Sequence, residues 1–206
     1  MLMKKYFLLI LVAVFFMACT KTVTTPKYYV LDFAVTSFDN KKVESVSRDV
    51  CEILPVQVTE VYSQHRIALR KRSHELSYYR YHQWAESPDL NIGRLIQKKL
   101  NSDALFARIS DRIWSVAPRY QLSAQINQLE GVEGEDSLMA HINIKLELFD
   151  RSKKQVVVEH SFDKTRALEE WDLNYLAFAM SNILKSNLER FSNKIRIYLV
   201  NENLHK

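Results

Sequence analysis

Two long stretches in the second half of the chain constrain its fold more than any other feature, because they alternate apolar and polar residues. Residues 120–130 (YQLSAQINQLE) and residues 138–149 (LMAHINIKLELF) each place every second side chain on the same side. A period of two residues is typical of a β-strand with one buried face. The acidic, turn-rich link between them predicts an antiparallel hairpin, and residues 155–162 (QVVVEHSF) continue it as a third strand.

The first helical pattern begins at the sequence Ser87-Pro88-Asp89. Ser87 is suited to cap a helix, Pro88 fits the first turn, and Asp89 meets the positive end of the helix dipole. The apolar residues on one face of the segment are Ile92, Leu95, Ile96 and Leu100. This pattern predicts an amphipathic helix of about 13 residues after residue 88.

A second helical pattern runs from about Leu168 to about Arg190, with Glu169 and Glu170 in its predicted first turn. Its apolar stripe is Leu173, Leu176, Met180, Ile183, Leu184, Leu188 and Phe191. We expect this long C-terminal helix to lie across the sheet with that stripe facing inward. Residues 194–200 (KIRIYLV) fit either an extension of the helix or a late strand, and the sequence leaves that choice open.

Short strands are predicted in the first half of the chain. They are residues 28–35, 50–58, 66–70, 74–84 and 105–110. Pro55 lacks an amide donor, so its strand should lie at a sheet edge or carry a bulge there. A basic tip, Lys71-Arg72-Ser73, joins the third and fourth strands as a hairpin. Together these patterns predict a single α/β domain of the α+β type, with a mainly antiparallel or mixed sheet.

The start of the chain follows a different pattern. Two lysines precede an unbroken apolar run from Tyr6 to Met17, which ends at Ala18 and Cys19. This order is typical of an export signal, and its run of about 13 apolar residues falls short of the roughly 20 that cross a bilayer. Residues 16–19 (FMAC) resemble the lipobox of bacterial lipoproteins, with Phe and Met in place of the usual Leu and Ala or Ser.

The lipobox resemblance implies a chain in three parts. Residues 1–18 would be a signal peptide cleaved before Cys19, which carries a diacylglycerol on its sulfur and an acyl chain on its freed amine. Residues 19–27 would form the lipidated cysteine and a tether reaching at most about 26 Å, and residues 28–206 a single domain. Thr20 in place of Asp implies sorting to the outer membrane of a Gram-negative bacterium, on its periplasmic face. The alternatives are a signal peptide in which Cys19 is incidental and an uncleaved anchor.

The charge balance argues against a nucleic-acid-binding protein. Cleavage would remove two of the 29 Lys and Arg residues and none of the 24 Asp and Glu residues, leaving a net charge of +3. A dedicated nucleic-acid binder concentrates a larger excess of Lys and Arg on one face. The mild positive charge suits a protein that works near anionic lipid or an acidic partner.

The sequence lacks the usual patterns of catalytic and cofactor sites. It has only three glycines, whereas phosphate-binding loops and nucleophile elbows use several at fixed spacing. The six histidines form no close pair with a cysteine and no helical metal-binding set. Cys51 has no partner for a disulfide once Cys19 is lipidated, and a small buried side chain is favoured over a reactive thiol. We therefore expect no enzyme activity, no cofactor and no metal site.

Several segments of the mature sequence occur in a familiar order. They are YYVL after the lipidated cysteine, ILPVQV followed by RIALR, and YHQWAESPDLNIGRLIQKKL leading into LFARI. This order resembles the auxiliary lipoprotein family of Mce-type ABC transporters, the intermembrane lipid-transport systems of Gram-negative bacteria. The residues that keep the family's places are Pro55, Val56, Ile67, Arg70, Trp84, Ala85 and Glu86. The residues that depart from it, all in one loop, are Thr59, Ser63, Gln64 and His65.

The resemblance implies a non-catalytic domain on the outer membrane that docks onto an Mce-domain protein and assists intermembrane lipid transport. A homo-oligomer is compatible with this arrangement, and nucleic acid is not an expected partner. One alternative is an envelope lipoprotein of another class, such as an activator of peptidoglycan synthesis or an assembly factor. The other is a lipid-anchored hydrolase, although no serine lies in a glycine-flanked turn.

The predicted hairpin carries the candidate partner-binding residues. They are Tyr78, Tyr79, Tyr81, Arg70, Lys71 and Arg72. Aromatic and arginine side chains are enriched in interfaces because they bury a large area with little loss of entropy, and basic side chains attract anionic lipid or an acidic partner. The alternatives are that the rings pack in the core or at the sheet edge, as we expect for Trp84, and that the basic tip is a solvated turn.

Overall fold

The computed structural model of the chain describes residues 24–35, 44–111, 117–134 and 137–204. The predicted signal peptide, Cys19 and the start of the tether lie outside the described residues. Within them, one mixed sheet of nine strands packs with two helices, α1 (Pro88–Ser102) and α2 (Leu173–Leu204). This arrangement confirms the predicted single domain of the α+β type, with its long C-terminal helix.

The strands of the sheet are β1 (Lys27–Tyr29), β2 (Ser47–Ile53), β3 (Gln57–Val58), β4 (Arg66–Arg72), β5 (Glu75–Trp84), β6 (Phe106–Ser110), β7 (Tyr120–Glu133), β8 (Leu138–Asp150) and β9 (Gln155–Ala167). Strand β7 pairs antiparallel with β8 along its whole length, and β8 pairs in the same way with β9. The other edge of β7 pairs in parallel with β2, β3 and β4 in succession. Outside these, β6 pairs with β2, β5 with β4, and β1 with β5.

Helix α2 covers one face of this sheet. The predicted apolar stripe of α2 is buried along its full length, and it meets the alternating buried side chains of β7 and β8. Gly131 in β7 lies under the crossing, where an added Cβ would be 3.2 Å from Leu138 Cδ1 and 3.3 Å from Leu69 Cδ1. The absence of a side chain at this position leaves room for the Leu138 and Leu69 side chains of the two neighbouring strands.

The start of α2 differs from the prediction. The helix begins at Leu173, and Glu169 and Glu170 precede it. Asp172 caps it instead, because its carboxylate accepts a hydrogen bond of 2.5 Å from the amide of Asn174. No helix in the described ranges is long and apolar enough to cross a membrane.

The end of α2 settles the question that the sequence left open, since residues 194–200 continue the helix, which ends at Leu204. Arg119, just before β7, holds this last part in place. Its guanidinium lies 2.9 Å from Asp150 Oδ2, 3.0 Å from Asp49 Oδ2 and 3.2 Å from Glu202 Oε1. Burial opposes ionisation of Asp150, but hydrogen bonds from Arg119 and Ser152 prevail and lower its pKa to about 2.

The predicted strand 28–35 is only partly a strand. It pairs with β5 over Lys27–Tyr29 and then runs on without a strand partner, although Leu31 and Phe33 are buried as the alternation predicts. Side chains replace the missing partner. The amide oxygen of Asn91 accepts from Leu31 N–H at 3.0 Å, and its nitrogen donates to Leu31 C=O at 3.1 Å. The alternating apolar residues therefore predicted the extended backbone and the buried side chains of this segment, but they did not show where its strand pairing ends.

The predicted strand 50–58 divides at Pro55 into β2 and β3. Both parts pair with β7, but the pairing of β2 with β6 ends at Glu52 and β3 has no second strand partner among the described residues, so Pro55 lies where the strand is an edge, as predicted. Cys51 in β2 is buried, as its apolar surroundings predict. Burial, helped by the nearby Glu52 carboxylate, raises the pKa of the Cys51 thiol to about 12, so the reactive thiolate is scarce at neutral pH.

We predict that the stability of the domain depends on the inner stripe of α2 and not on its outer face. Leu184→Ala should lower the free energy of unfolding by about 2–5 kcal/mol, because Leu184 is fully buried and its truncation leaves a cavity. Urea unfolding of the mature chain measures the change. Phe178→Ala on the exposed face of the same helix is the matched control and should cost less than about 0.5 kcal/mol. Equal losses in both variants would contradict the packing described.

Candidate docking surface

The candidate partner-binding residues all lie on the β4–β5 hairpin or at its turn. The outer edge of β5 is covered by β1 only from His82 to Trp84, so the rest of that edge has no strand partner among the described residues. The hairpin turn lies at residues 73–74, beside the end of β7. The hairpin thus projects along one margin of the sheet, where a partner can reach it.

Arg70 is engaged within the domain. Its Nε lies 2.7 Å from Glu130 Oε1 and its Nη2 lies 2.9 Å from Glu130 Oε2, so it binds the carboxylate through both oxygens. Glu130 is fully buried in β7, whereas Arg70 keeps about a quarter of its side chain exposed. A two-point contact of this kind is short and directional, and it fixes β4 against β7.

Tyr62 and His141 complete the surroundings of Glu130. The Tyr62 hydroxyl donates to Glu130 Oε2 at 2.7 Å, and His141 Nδ1 lies 3.3 Å from Glu130 Oε1. His141 Nε2 lies 2.7 Å from Asp163 Oδ1 on β9. The network therefore joins the short 3-10 helix Glu60–Tyr62 to four strands of the sheet.

The charges in this network stabilise one another. Burial by itself raises the pKa of Glu130, but hydrogen bonds from His141, Arg70 and Tyr62 prevail and lower it to about 2. The contact with Glu130, followed by the one with Asp163, raises the pKa of His141. Burial, together with the adjacent Glu130 carboxylate, raises the pKa of Tyr62 to about 12. Glu130 is thus ionised at neutral pH, and its charge favours the protonated form of His141.

The network lies on the face of the sheet opposite α2, which we call the open face. Polar side chains at alternate positions of β7 and β8 point to this face, and no helix longer than the 3-10 turn covers it in the described part of the chain. Many of them pair with each other, as Asn127 does with Asn143 at 3.0 Å and Gln121 with Glu52 at 2.9 Å. The open face is therefore polar, and many of its side chains are bonded to one another.

Tyr78 belongs to the open face beside the network. Ala68 pairs with both Tyr78 and Glu130 across neighbouring strands, so the three residues form one row. The Tyr78 hydroxyl donates to the carbonyl of Val61 at 2.9 Å, and the Arg66 guanidinium lies 4.8 Å from the centre of its ring. The ring is held in place at its hydroxyl end and on one face, while part of it stays accessible to a partner.

Tyr79 and Tyr81 face different surroundings. The Tyr79 ring is half-buried against the core, makes an edge-to-face contact with His82 at 5.6 Å, and has its hydroxyl close to the Trp171 indole. Tyr81 is 40% exposed and lies on the side opposite buried Trp84. Trp84 packs in the core, as expected. Of the three tyrosines, Tyr79 is the one whose contacts are mainly internal.

Lys71 and Arg72 are exposed beside the hairpin turn. Arg72 lies 3.9 Å from Glu75, but both side chains are largely in water, so this pair adds little to stability. The accessible candidate residues of the hairpin are therefore Tyr78, Tyr81, Lys71 and Arg72, and Arg70 fixes the position of the hairpin through Glu130. We refer to these first four residues as the hairpin rim.

Sequence reasoning missed Glu130, Tyr62 and His141. His141 occupies a polar position of an alternating strand, but Glu130 follows the apolar positions of β7 and reaches the open face only through the bulge at Asn127, which the sequence does not signal. The contact between Tyr62 and Glu130 spans 68 residues of sequence, so no local spacing signals it. His, Cys, Asp and Glu side chains in the described residues form no group of three placed to hold a metal ion.

Comparison with protein-family models matches residues 29–191 to the family described as ABC-type transport auxiliary lipoprotein component. The match begins in β1 and ends in α2, so it includes the hairpin and the Glu130 network. The family is described as a transport component and not as an enzyme. Comparison with curated protein sequences gives no significant match.

Solved structures share the fold. Protein XCC0632 from Xanthomonas campestris superposes with a TM-score of 0.71 at 18% identity, covering 86% of this chain and 99% of that one. An uncharacterized protein has a TM-score of 0.66 at 10% identity, with coverage of 83% and 99%. Protein CT253 from Chlamydia trachomatis has a TM-score of 0.51 at 12% identity, with coverage of 74% and 98%. At these identities the similarity shows the fold alone.

We predict that the Glu130 network stabilises the domain in a pH-dependent way. Glu130→Gln should lower the free energy of unfolding at pH 6 by about 3 kcal/mol, because it removes the charge that compensates Arg70 and His141 in a buried site. The lowered pKa of Glu130 contributes stability above its usual value of 4.5, and this contribution is lost as the pH falls towards 2. The raised pKa of His141 contributes stability below its usual value of 6.5, and this contribution is lost as the pH rises through the raised pKa.

The loss in Glu130→Gln should therefore be largest near pH 5 to 6 and should shrink at pH 3, as measured by urea midpoints across this range. Glu147→Gln is the matched control. Glu147 lies on the same open face and pairs with Lys145 at 2.6 Å, but both side chains are partly exposed, so its loss should stay below about 1 kcal/mol. A loss in Glu130→Gln that does not change with pH would contradict the ionic description.

Proposed function

The chain belongs to the ABC-type transport auxiliary lipoprotein family, and we propose that it is the outer-membrane lipoprotein of an Mce-type lipid transport system. In this role the domain docks onto the Mce-domain protein and assists the movement of lipid between the two membranes, without catalysing a reaction. The observation that carries the proposal is the family match over residues 29–191, which takes in nearly the whole domain.

The proposed anchor is Cys19. The FMAC sequence resembles a lipobox, and a thioether-linked diacylglycerol with an amide-linked acyl chain gives an essentially permanent attachment, whereas a single chain binds only weakly. Attachment also raises the local concentration of the docking surface near its partner. Even a weak contact is then well occupied.

The proposed docking surface is the hairpin rim of Tyr78, Tyr81, Lys71 and Arg72. Tyr78 is pre-positioned by Val61 and Arg66, so little entropy is lost when a partner covers it. The exposed basic side chains favour an acidic surface on the partner. Arg70 contributes through Glu130, because that contact fixes the hairpin against the sheet.

We predict that Cys19→Ala abolishes lipid attachment. The variant should accumulate as an uncleaved precursor that incorporates no labelled palmitate, because the sulfur that accepts the diacylglycerol is gone. Metabolic labelling followed by immunoprecipitation measures the effect, and Cys51→Ala, which leaves Cys19 intact, is the matched control and should label as the wild type does. Failure of the wild type to incorporate label would overturn the proposed anchor.

We predict that the hairpin rim captures the partner. A photocrosslinking amino acid in place of Tyr81 should yield a product with an Mce-domain protein in intact cells, whereas the same group in place of Leu90, exposed on α1, should not. Tyr81→Ala should weaken capture about thirtyfold, since an interface aromatic contributes about 2 kcal/mol.

The identity of the crosslinked protein decides between the hypotheses. A peptidoglycan synthase in the Tyr81 product, without an Mce protein, would reject the transport role in favour of another envelope function. A product containing two copies of this chain would assign the hairpin rim to self-association. Unchanged capture by Tyr81→Ala, together with crosslinking at both positions, would remove the hairpin rim from the proposal.

A further inference from the structure

A cluster of large apolar side chains remains exposed where the described chain begins. Phe178 is 63% exposed, Trp171 is 50% exposed and Val30 is 46% exposed. We call these three residues the aromatic surface. Soluble domains rarely leave several large apolar side chains together in water, so the cluster points to a binding role.

The three residues come from segments that run side by side. Val30 and Phe178 line the same depression between the leading segment (residues 24–35) and α2, and Asp32 N–H donates to Ser181 Oγ at 3.1 Å a turn further along the helix. Trp171 lies just before α2, with its indole close to the Tyr79 hydroxyl on β5. The aromatic surface therefore lies along the leading segment and the first turns of α2.

The direction of β1 places the tether at the same end of the molecule. Strand β1 runs parallel to β5, with Lys27 opposite His82 and Tyr29 opposite Trp84. The chain before Lys27 therefore lies on the side of the β4–β5 hairpin turn. Helix α2 also begins at this end, because β9 ends at Ala167, opposite Met139 at the start of β8.

We propose that the aromatic surface rests in the headgroup region of the phospholipid bilayer that holds Cys19. This inference rests on the proposed anchor. Five residues from Cys19 to Val23 span at most about 18 Å, so an acylated Cys19 keeps Thr24, and the end of the domain that bears it, close to the bilayer. Trp and Tyr favour the interface between hydrocarbon and water, because their rings are apolar and their N–H and O–H groups are polar.

The charges around the aromatic surface specify the kind of lipid. Trp171 is flanked by the exposed carboxylates of Glu169, Glu170 and Asp172, which an anionic membrane would repel. Lys27 and Arg166 are exposed nearby and oppose this negative charge. The contact is therefore apolar insertion into zwitterionic lipid, and unlike attraction between charges it should change little with salt.

The test uses the lipidated mature protein, purified from membranes and reconstituted into phosphatidylcholine vesicles with brominated acyl chains, which quench nearby tryptophan. In a background without the three native tryptophans (Trp84→Phe, Trp114→Phe and Trp171→Phe), Phe178→Trp supplies the sole tryptophan as a reporter in the aromatic surface. Ile197→Trp supplies the matched control, since Ile197 is also 63% exposed and lies on the same helix, about 28 Å further along. We expect at least a twofold loss of emission for the reporter at position 178, at low and high salt alike, and none for the one at position 197.

The outcomes separate this inference from the anchor on which it rests. Vesicles that float with the protein but leave the reporter at position 178 unquenched would overturn the bilayer contact and leave the anchor intact. Protein that fails to float would overturn both. Equal quenching at both positions would mean that the whole helix lies on the membrane, which contradicts assignment to this surface. Blue-shifted emission at position 178 without quenching, which grows with protein density, would assign the surface to a second copy.

Discussion

The pairing of β7 governs the rest of the structure. Along one edge this strand pairs antiparallel with β8, with a single register shift at Asn127, and along the other edge it pairs with β2, β3 and β4 one after another. Each of these contacts uses backbone hydrogen bonds of β7, which pairs with more strands than any other strand in the described part of the chain. The alternation of its side chains then decides both faces at once, because apolar positions meet α2 and polar positions form the open face.

A polar open face raises the problem of Glu130, which lies on that face but is not in water. The 3-10 helix Glu60–Tyr62 folds over it, and this burial would be costly without compensation. Arg70 and His141 supply the compensation, so the fixed position of the hairpin follows from the need to neutralise one carboxylate. The hairpin rim is therefore a surface of the sheet and not of a loose turn, which suits a contact that must be formed without reordering.

The sequence predicted those parts of the fold that depend on local periodicity. The alternation in β7 and β8 and the apolar stripe of α2 were identified because burial repeats at every second residue or every third to fourth residue. The C-terminal end of α2 was not predicted, because the contact that holds it joins Arg119 and Glu202, which are 83 positions apart in the chain. Within the candidate site the hairpin was predicted, but the engagement of Arg70 was not, because its partner lies 60 residues away.

The way in which the leading segment is held has a mechanical consequence. Beyond β1 this segment has no strand beside it and is fixed by Asn91, which bonds both backbone groups of Leu31, and by the hydroxyl of Ser181. A pulling force on this segment acts parallel to β1. The backbone hydrogen bonds between β1 and β5 and these side-chain hydrogen bonds therefore share the force and must break together. Although β1 has only three residues, it thus resists a pulling force better than its length suggests. The force can act on the first residues of the domain without separating β1 from the sheet one hydrogen bond at a time.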